Sequence, residues 1–208
     1  MLKPIQINEI MVDLDGVLVN FDRGIFEIIK EYAEDKKMLD ILSSADQENV
    51  LNMNKGLKKE SDIRMILKNK SYKDTVRILI FNNPKWWEEL HMHDDGQDLW
   101  DYFKQYNPII LTSSFGRTNS DPGKRKWVHK HLGVHVKCII INEKGELANH
   151  DCVLIDDRRE IAENFIEAGG NAILHVSTDK TIEEFEKRFS FLEESLKFIK
   201  SYNNWIKI

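Results

Sequence analysis

Residues 10–16 read Ile-Met-Val-Asp-Leu-Asp-Gly, a short apolar run that ends in two aspartates and a glycine. A short apolar run bounded by turn residues is consistent with a buried strand of a parallel sheet. Four later runs have the same character, at 109–111, 138–141, 152–155 and 172–176. The sequence therefore predicts a set of buried parallel strands.

Helix-length amphipathic stretches lie between the later runs, at about 97–105, 123–132 and 158–168. Strands that alternate with helices favour an α/β fold. Because the runs are apolar on both faces, we expect an open, mainly parallel, Rossmann-like sheet flanked by helices.

One interval breaks this alternation. Between the first run and the helix near Gln97 lie about eighty residues with mainly helical patterns, beginning with apolar residues at helical spacing from Ile25 to Tyr32. A usual crossover connection is far shorter. We therefore predict a small helical cap at 22–92, inserted after the first strand, and an α/β core domain made of 1–21 and 93–208.

Apolar residues near the C-terminus recur at alternating intervals of three and four, from Ile182 to Ile199. This spacing predicts a terminal helix packed on its own sheet. A dimerising coiled coil is the alternative, but the stripe is shorter than the three to four heptads typical of one. The sequence leaves a homodimer open.

Composition bounds the class of protein. The chain has 208 residues, of which 41% are hydrophobic and 31% charged, which suits one sizeable core with a small accessory unit. The longest purely apolar runs, such as 138–141, have four residues, far below the roughly 18 residues of a membrane span, and the N-terminus lacks a long apolar secretory stretch. Cys138 and Cys152 lie in apolar runs, as reduced core thiols do. We expect no membrane association and a cytoplasmic location.

The net charge of −5 argues against a stable nucleic-acid partner, since such domains usually carry a basic face. It is compatible with a small phosphorylated substrate, for which the local basic clusters at 124–126 and 158–159 matter more. The expected partner is therefore a small phosphorylated molecule.

Polar residues follow three of the predicted strands, at the edge where open parallel sheets bind ligands. Four carboxylates and two hydroxyls would converge there: Asp13, Asp15, Asp156, Asp157, Thr112 and Ser113. Carboxylates that lie so near to one another repel unless a cation neutralises them, and an all-oxygen cluster suits Mg²⁺. The sequence predicts a Mg²⁺ site formed by the four aspartates, with Gly16 permitting a sharp turn.

Carboxylates, Mg²⁺ and hydroxyl donors together suit phosphoryl transfer. Asp13 is the candidate nucleophile, which would form an aspartyl phosphate. Asp15 is the candidate acid and base, protonating the leaving oxygen and later taking a proton from water. Thr112 and nearby backbone amides would hold phosphoryl oxygens, with Ser113 also at the substrate, and a lysine would balance charge.

The segments VDLDGVLVNFD, LTSS and LIDDR, in that order, resemble motifs I, II and IV of the haloacid dehalogenase superfamily. With Phe21, the helical insertion, WWEEL and KRKWVHKHLG, most of the chain is similar to the 5′(3′)-deoxyribonucleotidase branch. The resemblance implies a Mg²⁺-dependent nucleoside monophosphate phosphatase. It also implies that Phe21, Trp86 and Trp87 surround the base, although adjacent helical residues face different ways, so at most one tryptophan is expected to reach it.

Two lysines compete for the charge-balancing role. Lys144 lies on the loop after the third predicted strand, where the resemblance places this lysine, although its distance to Asp156 is slightly long for the branch. Lys124 starts the helix after the Thr112 loop and is also a candidate for substrate binding. We favour Lys144.

Other functions use the same chemistry. The substrate is alternatively a sugar phosphate, another small metabolite or a phosphate on a polynucleotide end. A phospho-receiver domain also combines an acidic pocket, Mg²⁺, a hydroxyl and a lysine, and it stores the aspartyl phosphate as a signal. Asp15 and the long insertion favour the phosphatase.

Overall fold

The computed structural model describes residues 4–116 and 119–191. Within these ranges the chain forms two compact units. The first comprises 4–19, 92–114 and 128–191, and the second comprises 20–91 together with 115–127. The second unit thus takes in a short segment beyond the insertion, and the predicted cap boundaries at 22 and 92 stay a prediction.

The first unit is built on a parallel sheet, and each of its strands corresponds to one of the apolar runs. Their bounds are Glu9–Val12 (β2), Ile109–Thr112 (β3), Cys138–Ile140 (β4), Cys152–Asp156 (β5) and Asn171–Leu174 (β6). In the described residues these five strands lie in the order β4-β3-β2-β5-β6. Every residue of β3 and β5 is buried, so both faces of the sheet are covered. The predicted α/β architecture is confirmed.

Helices form where the three amphipathic stretches and the C-terminal stripe predicted them. Their bounds are Gly96–Phe103 (α7), Ser120–His131 (α8), Arg159–Glu167 (α9) and Thr178–Arg188 (α10). Ala162 and Phe165 of α9 pack into an apolar cluster with Met11, Leu111 and Leu154 of the sheet. β2 lies at the centre of the sheet, with its carboxyl end between those of β3 and β5.

A separate pair of short strands lies outside the main sheet. β1 (Ile5–Ile7) pairs in parallel with β7 (Phe189–Phe191). The predicted terminal helix ends at Arg188 for this reason, because the apolar residues that follow form β7 instead of another helical turn. The remainder of the predicted stripe, from Leu192 onward, lies outside the described residues.

The insertion after β2 is helical, as predicted. The α-helices of the insertion are Phe21–Glu34 (α1), Lys36–Asp40 (α2), Ser44–Gly56 (α3), Ile63–Ile66 (α4), Lys70–Asn82 (α5) and Trp86–Glu89 (α6). α1 packs against α3 and α5. Side chains at their contacts are fully buried, among them Ile25, Ile29, Val50, Val76 and Leu79. In the parts of the chain that the structure describes, no helix has the length and apolarity of a membrane span.

Candidate active site

The turn after β2 fixes the two aspartates of the first motif. Asp13 is anchored by its backbone N–H, which donates to Ile155 O on β5 at 2.9 Å. Beyond it, Leu14 O accepts hydrogen bonds from Leu18 N at 3.0 Å and Val19 N at 2.8 Å, which close a tight turn. Asp13 is buried and Asp15 half-buried in this arrangement.

Three of the four predicted carboxylates converge. Asp13, Asp156 and Asp157 each offer an oxygen atom, and these atoms lie within 4.8 Å of one another. Asp13 and Asp156 are almost wholly inaccessible to solvent, at 5% and 0% exposure, so their repulsion is poorly screened. The all-oxygen donor set fits a hard divalent cation such as Mg²⁺. Asp15 lies outside this cluster, and its ligation of the metal stays a prediction.

Gly16 makes room for Asp157 as well as forming a turn. Its φ is +85°, a conformation that side chains rarely adopt. A Cβ atom at this position would lie 2.6 Å from Asp157 Oδ2, closer than atoms can approach without displacement. The glycine of the first motif therefore clears the space that the last aspartate of the acidic cluster occupies.

Lys144 joins the acidic cluster from the segment after β4. Its Nζ lies 2.8 Å from Asp13 Oδ1 and 2.7 Å from Asp156 Oδ2, and the side chain is 3% exposed. Burial alone would lower the pKa of Lys144, but the two carboxylates outweigh burial and raise that pKa above its usual value. The ammonium group therefore stays charged at neutral pH.

Asp156 is held on both of its oxygen atoms. Oδ2 accepts from Lys144 Nζ, and Oδ1 accepts from the backbone N–H of Arg158 at 2.9 Å. Burial and the nearby Asp13 carboxylate nevertheless raise the pKa of Asp156, against the opposing effects of Lys144 and Arg158. One ammonium group does not balance the buried negative charge, and a divalent cation would.

Thr112 and Ser113 lie at the carboxyl end of β3, beside β2. Thr112 is fully buried, and its carbonyl accepts from Ile141 N at 2.9 Å. Two residues on, Ser114 N donates to Asn142 Oδ1 at 3.1 Å. These two hydrogen bonds therefore join the segment 112–114 to the segment that leads to Lys144. Asn142 was not identified from the sequence, and only its closeness to Lys144 along the chain could have indicated it.

The second unit carries an aromatic cluster, formed by Phe21, Trp86, Trp87 and Phe115. The ring centroid of Phe21 lies 5.7 Å from that of Trp86, 5.8 Å from that of Trp87 and 5.4 Å from that of Phe115. Lys124 is buried beside this cluster, with Nζ 4.9 Å from the Trp87 ring centroid. The three aromatic residues predicted for the base are thus neighbours, and Lys124 belongs to the same unit.

Burial divides the aromatic cluster into two pairs. Trp86 and Trp87 are 6% and 1% exposed, whereas Phe21 and Phe115 are only half-buried. The two phenylalanines therefore have more surface available to a ligand than either tryptophan. Phe115 was missed by the sequence reasoning, and its position directly after Thr112-Ser113-Ser114 was the available signal.

Known proteins resemble this chain more in fold than in sequence. No protein-family model matches the chain. A 124-residue stretch, 48% of the chain, is 30% identical to the RNA replication polyprotein of Apple stem pitting virus (isolate PA66), of which it spans 5%.

Solved structures with a similar fold include a hydrolase from Streptococcus pneumoniae TIGR4 (TM-score 0.48, 12% identity, 86% of this chain and 98% of that one). They also include a predicted phosphatase from Clostridium acetobutylicum (TM-score 0.46, 17% identity, 87% of this chain and 99% of that one). A third is a haloacid dehalogenase family enzyme from Bacteroides thetaiotaomicron (TM-score 0.43, 16% identity, 83% of this chain and 95% of that one). Likenesses this low show nothing about the activity of this chain.

Proposed function

We propose that this protein is a Mg²⁺-dependent phosphatase of nucleoside monophosphates, which acts through an aspartyl phosphate. The observation that carries the proposal is the convergence of Asp13, Asp156, Asp157 and Lys144 at the carboxyl edge of the sheet. Nucleophile, metal ligands and a charge-balancing cation are the groups that phosphoryl transfer requires.

In the first step, a carboxylate oxygen of Asp13 attacks phosphorus, and the ester bond to the leaving alcohol breaks. Asp15 gives its proton to the leaving oxygen. In the second step, Asp15 takes a proton from water as the water oxygen attacks phosphorus, and the Asp13 carboxylate is released with inorganic phosphate. A bound Mg²⁺ would be held by Asp13, Asp156 and Asp157 and would supply the positive charge that lets a carboxylate approach a phosphate.

Lys144 and Thr112 complete the proposed chemistry. The raised pKa of Lys144 keeps its ammonium group charged, which would offset the negative charge that develops in the transition state. Thr112, with Ser113 and the neighbouring backbone amides, would hold phosphoryl oxygens at the end of β3. The contacts of Lys144 with Asp13 and Asp156 support it over Lys124 in this role, and Lys124 is retained as a substrate-binding residue.

The aromatic cluster supports a nucleotide over an aliphatic phosphate ester, because half-buried rings suit stacking on a base. Phe21 is the predicted contact that keeps available surface, and burial disfavours direct contact by Trp86 and Trp87. The resemblance of the motifs supports membership of the haloacid dehalogenase superfamily, in its 5′(3′)-deoxyribonucleotidase branch. A cytoplasmic location and the absence of membrane or nucleic-acid partners belong to the same proposal.

The test is phosphate release from a panel of 5′- and 3′-nucleoside monophosphates, sugar phosphates and a 5′-phosphorylated oligonucleotide, with Mg²⁺ and with EDTA. We expect Mg²⁺-dependent turnover that is highest on a nucleoside monophosphate and is abolished by Asp13→Asn. Preference for sugar phosphates or the oligonucleotide would refute the substrate assignment. A native aspartyl phosphate that persists for hours without turnover would instead identify a phospho-receiver.

A further inference from the structure

Ser120 is a buried hydroxyl of the second unit that the proposed chemistry does not use. It is the first residue of α8 and is 2% exposed. Its Oγ accepts a hydrogen bond from the backbone N–H of Phe115 at 3.0 Å and donates one to Asp121 Oδ1 at 2.8 Å. Because a hydroxyl has one hydrogen and two lone pairs, the bond to Asp121 uses the hydrogen and leaves a lone pair for Phe115. The serine thus holds the backbone of a residue whose ring belongs to the aromatic cluster.

The face of α8 that carries Ser120 is itself fixed against the aromatic cluster. Ser120, Gly123 and Trp127 are spaced three and four apart, so they lie on one face of the helix. A Cβ atom at Gly123 would lie 2.4 Å from Trp87 Cβ, so the helix backbone packs directly on this tryptophan. Trp127 Nε1 donates a buried hydrogen bond to Leu90 O at 2.8 Å. Ser120 therefore has a fixed position relative to Trp87.

The Phe115 ring meets two rings of the cluster edge to face. Its centroid lies 5.4 Å from that of Phe21 and 5.5 Å from that of Trp87, with interplanar angles of 65° and 61°. The strength of such contacts depends on the direction of the ring, which follows the backbone. Phe115 lies outside the helices and strands of the described residues, so no ladder of a helix or sheet fixes its backbone. Its hydrogen bond to Ser120 takes that role.

We infer that Ser120 is a positioning residue for substrate selection, which holds the Phe115 ring where the base of a nucleoside monophosphate would stack. This role rests on the proposed function. Without the hydroxyl, the N–H of Phe115 loses its acceptor at a site with little access to water, so the backbone has to shift to satisfy it. The ring shifts with the backbone, while the carboxylates and Lys144 keep their places. The loss therefore falls on binding of the base and is seen in KM, with kcat unchanged.

The experiment compares kcat and KM for a nucleoside monophosphate with those for glycerol phosphate, which has no base, using the full chain at saturating Mg²⁺. The test variants are Ser120→Ala and Ser120→Cys, and the second keeps the size of the side chain but accepts hydrogen bonds weakly. Ser120→Ala is also combined with Phe115→Leu. Thermal melts of all variants verify folding.

Ser43→Ala is the matched control, because Ser43 makes the same pair of hydrogen bonds in the same unit. Its Oγ accepts from the backbone N–H of Asp46 at 3.2 Å and donates to Asp46 Oδ2 at 2.5 Å. Ser43 is exposed and caps α3. The control thus removes an equivalent hydroxyl that does not hold Phe115.

We expect both Ser120 variants to raise KM for the nucleotide about fivefold, the effect of losing one hydrogen bond, with kcat and the kinetics on glycerol phosphate within about twofold of the wild type. Ser120→Ala should cause no further loss in the Phe115→Leu background, because a residue that acts through the ring has no effect once the ring is removed. Ser43→Ala should leave the nucleotide KM unchanged.

An equal loss on both substrates, an equal loss in Ser43→Ala, or an additive loss in the double variant would overturn the inference, because each would show a general effect on the unit. A wild type that prefers the nucleotide, with an unchanged KM in the Ser120 variants, would overturn the inference and leave the proposed function intact. A wild type with no preference for the nucleotide over glycerol phosphate would refute the proposed substrate and the inference together.

Discussion

Lys144 Nζ lies 2.8 Å from Asp13 Oδ1, in an ion pair whose lysine side chain is 3% exposed. The ammonium group therefore touches the residue proposed as the nucleophile, and its 2.7 Å contact with Asp156 fixes it from a second side. The fold sets this relationship, because β2 and β5 are neighbours and Lys144 follows β4 on the same edge of the sheet.

Replacing Lys144 by Met should lower phosphatase kcat by about 100-fold or more, which is typical of removing one transition-state donor. It should also destabilise the fold, because breaking a buried ion pair costs about 3–5 kcal/mol. Steady-state kinetics at saturating Mg²⁺ and a urea melt measure the two effects. Lys137→Met, at an exposed position, is the control. Near-normal turnover by Lys144→Met would show that the charge-balancing role belongs elsewhere.

Gly16→Ala should weaken Mg²⁺ binding, because the new Cβ atom would collide with Asp157 Oδ2 and the backbone would stay strained at a φ of +85°. Displacing a metal ligand through its supporting contacts typically costs about tenfold or more in affinity. The readout is the Mg²⁺ concentration that gives half-maximal activity. Gly56→Ala is the control, since the Cβ atom that alanine adds there meets no packed atom within 4 Å. Equal Mg²⁺ dependence in both variants would contradict the role given to Gly16.

Mg²⁺ should stabilise the folded chain. Binding at a hundred times the dissociation constant contributes about 2.7 kcal/mol, which corresponds to a rise in Tm of about 5–10 °C for a chain of this size. Asp157→Asn should abolish the rise, and Asp94→Asn, outside the acidic cluster in the same unit, should keep it. Differential scanning calorimetry in EDTA and in Mg²⁺ makes the comparison. An undiminished rise in Asp157→Asn would place the metal elsewhere.

Much of the fold follows from local patterns. The run at 10–12 and its four successors became β2 to β6, because an apolar segment too short for a helix gains most from burial on both faces. β1 and β7 were not predicted from the sequence. Ile5 is exposed, so the strand lacks a continuous apolar run, and Phe189 fits a helical stripe as well as it fits a strand. The segment that contains Phe189 forms a strand because it pairs with β1, which is distant in the sequence.

In the candidate site, too, some features could be predicted from the sequence and others could not. Asp13, Asp156 and Lys144 lie at or just after strand ends, so sheet topology alone brings them to one edge. In contrast, the close approach of Asp157 to Gly16, which leaves no room for a Cβ atom, depends on packing between distant parts of the chain and has no local signature. The position of Phe115 directly after the segment 112–114 was a local signal, but the contacts of its ring with those of Phe21 and Trp87 have no local signature.

Acid should destabilise the first unit through His175. Its Nδ1 lies 2.9 Å from Thr181 Oγ1, and burial lowers its pKa, with Asp95 opposing and His93 adding to the shift. Since the folded pKa lies below the unfolded value of about 6.5, stability is full above that pH and falls as the pH drops toward the folded pKa.

The measurement is the free energy of unfolding in EDTA at pH 7.5 and at pH 5.5, for the wild type and for His175→Gln. The wild type should lose more stability between the two pH values than the variant does. His150→Gln, at an exposed site, should behave as the wild type. An identical pH dependence in wild type and His175→Gln would mean that this imidazole does not contribute.

Phe115→Leu should reduce kcat/KM for a nucleoside monophosphate by about tenfold, because stacking on one base is worth about 1–3 kcal/mol. Phe115 is half-buried and its centroid lies 5.5 Å from that of Trp87, so leucine removes a partly accessible ring while the buried tryptophans remain. Glycerol phosphate, which has no base, should be hydrolysed equally well by variant and wild type. The ratio of the two kcat/KM values isolates the contribution of the ring.

Phe26→Leu is the matched control for this ratio. Phe26 is also a half-buried phenylalanine of the second unit, but its ring meets Lys30 Nζ at 4.4 Å instead of the aromatic cluster. It should leave the ratio within about twofold of the wild type, because it does not touch the rings that would stack on a base. A ratio that falls equally in Phe26→Leu and Phe115→Leu would trace the effect to general loosening of the helical unit. A ratio unchanged in Phe115→Leu would remove this ring from substrate selection and leave Phe21 as the candidate.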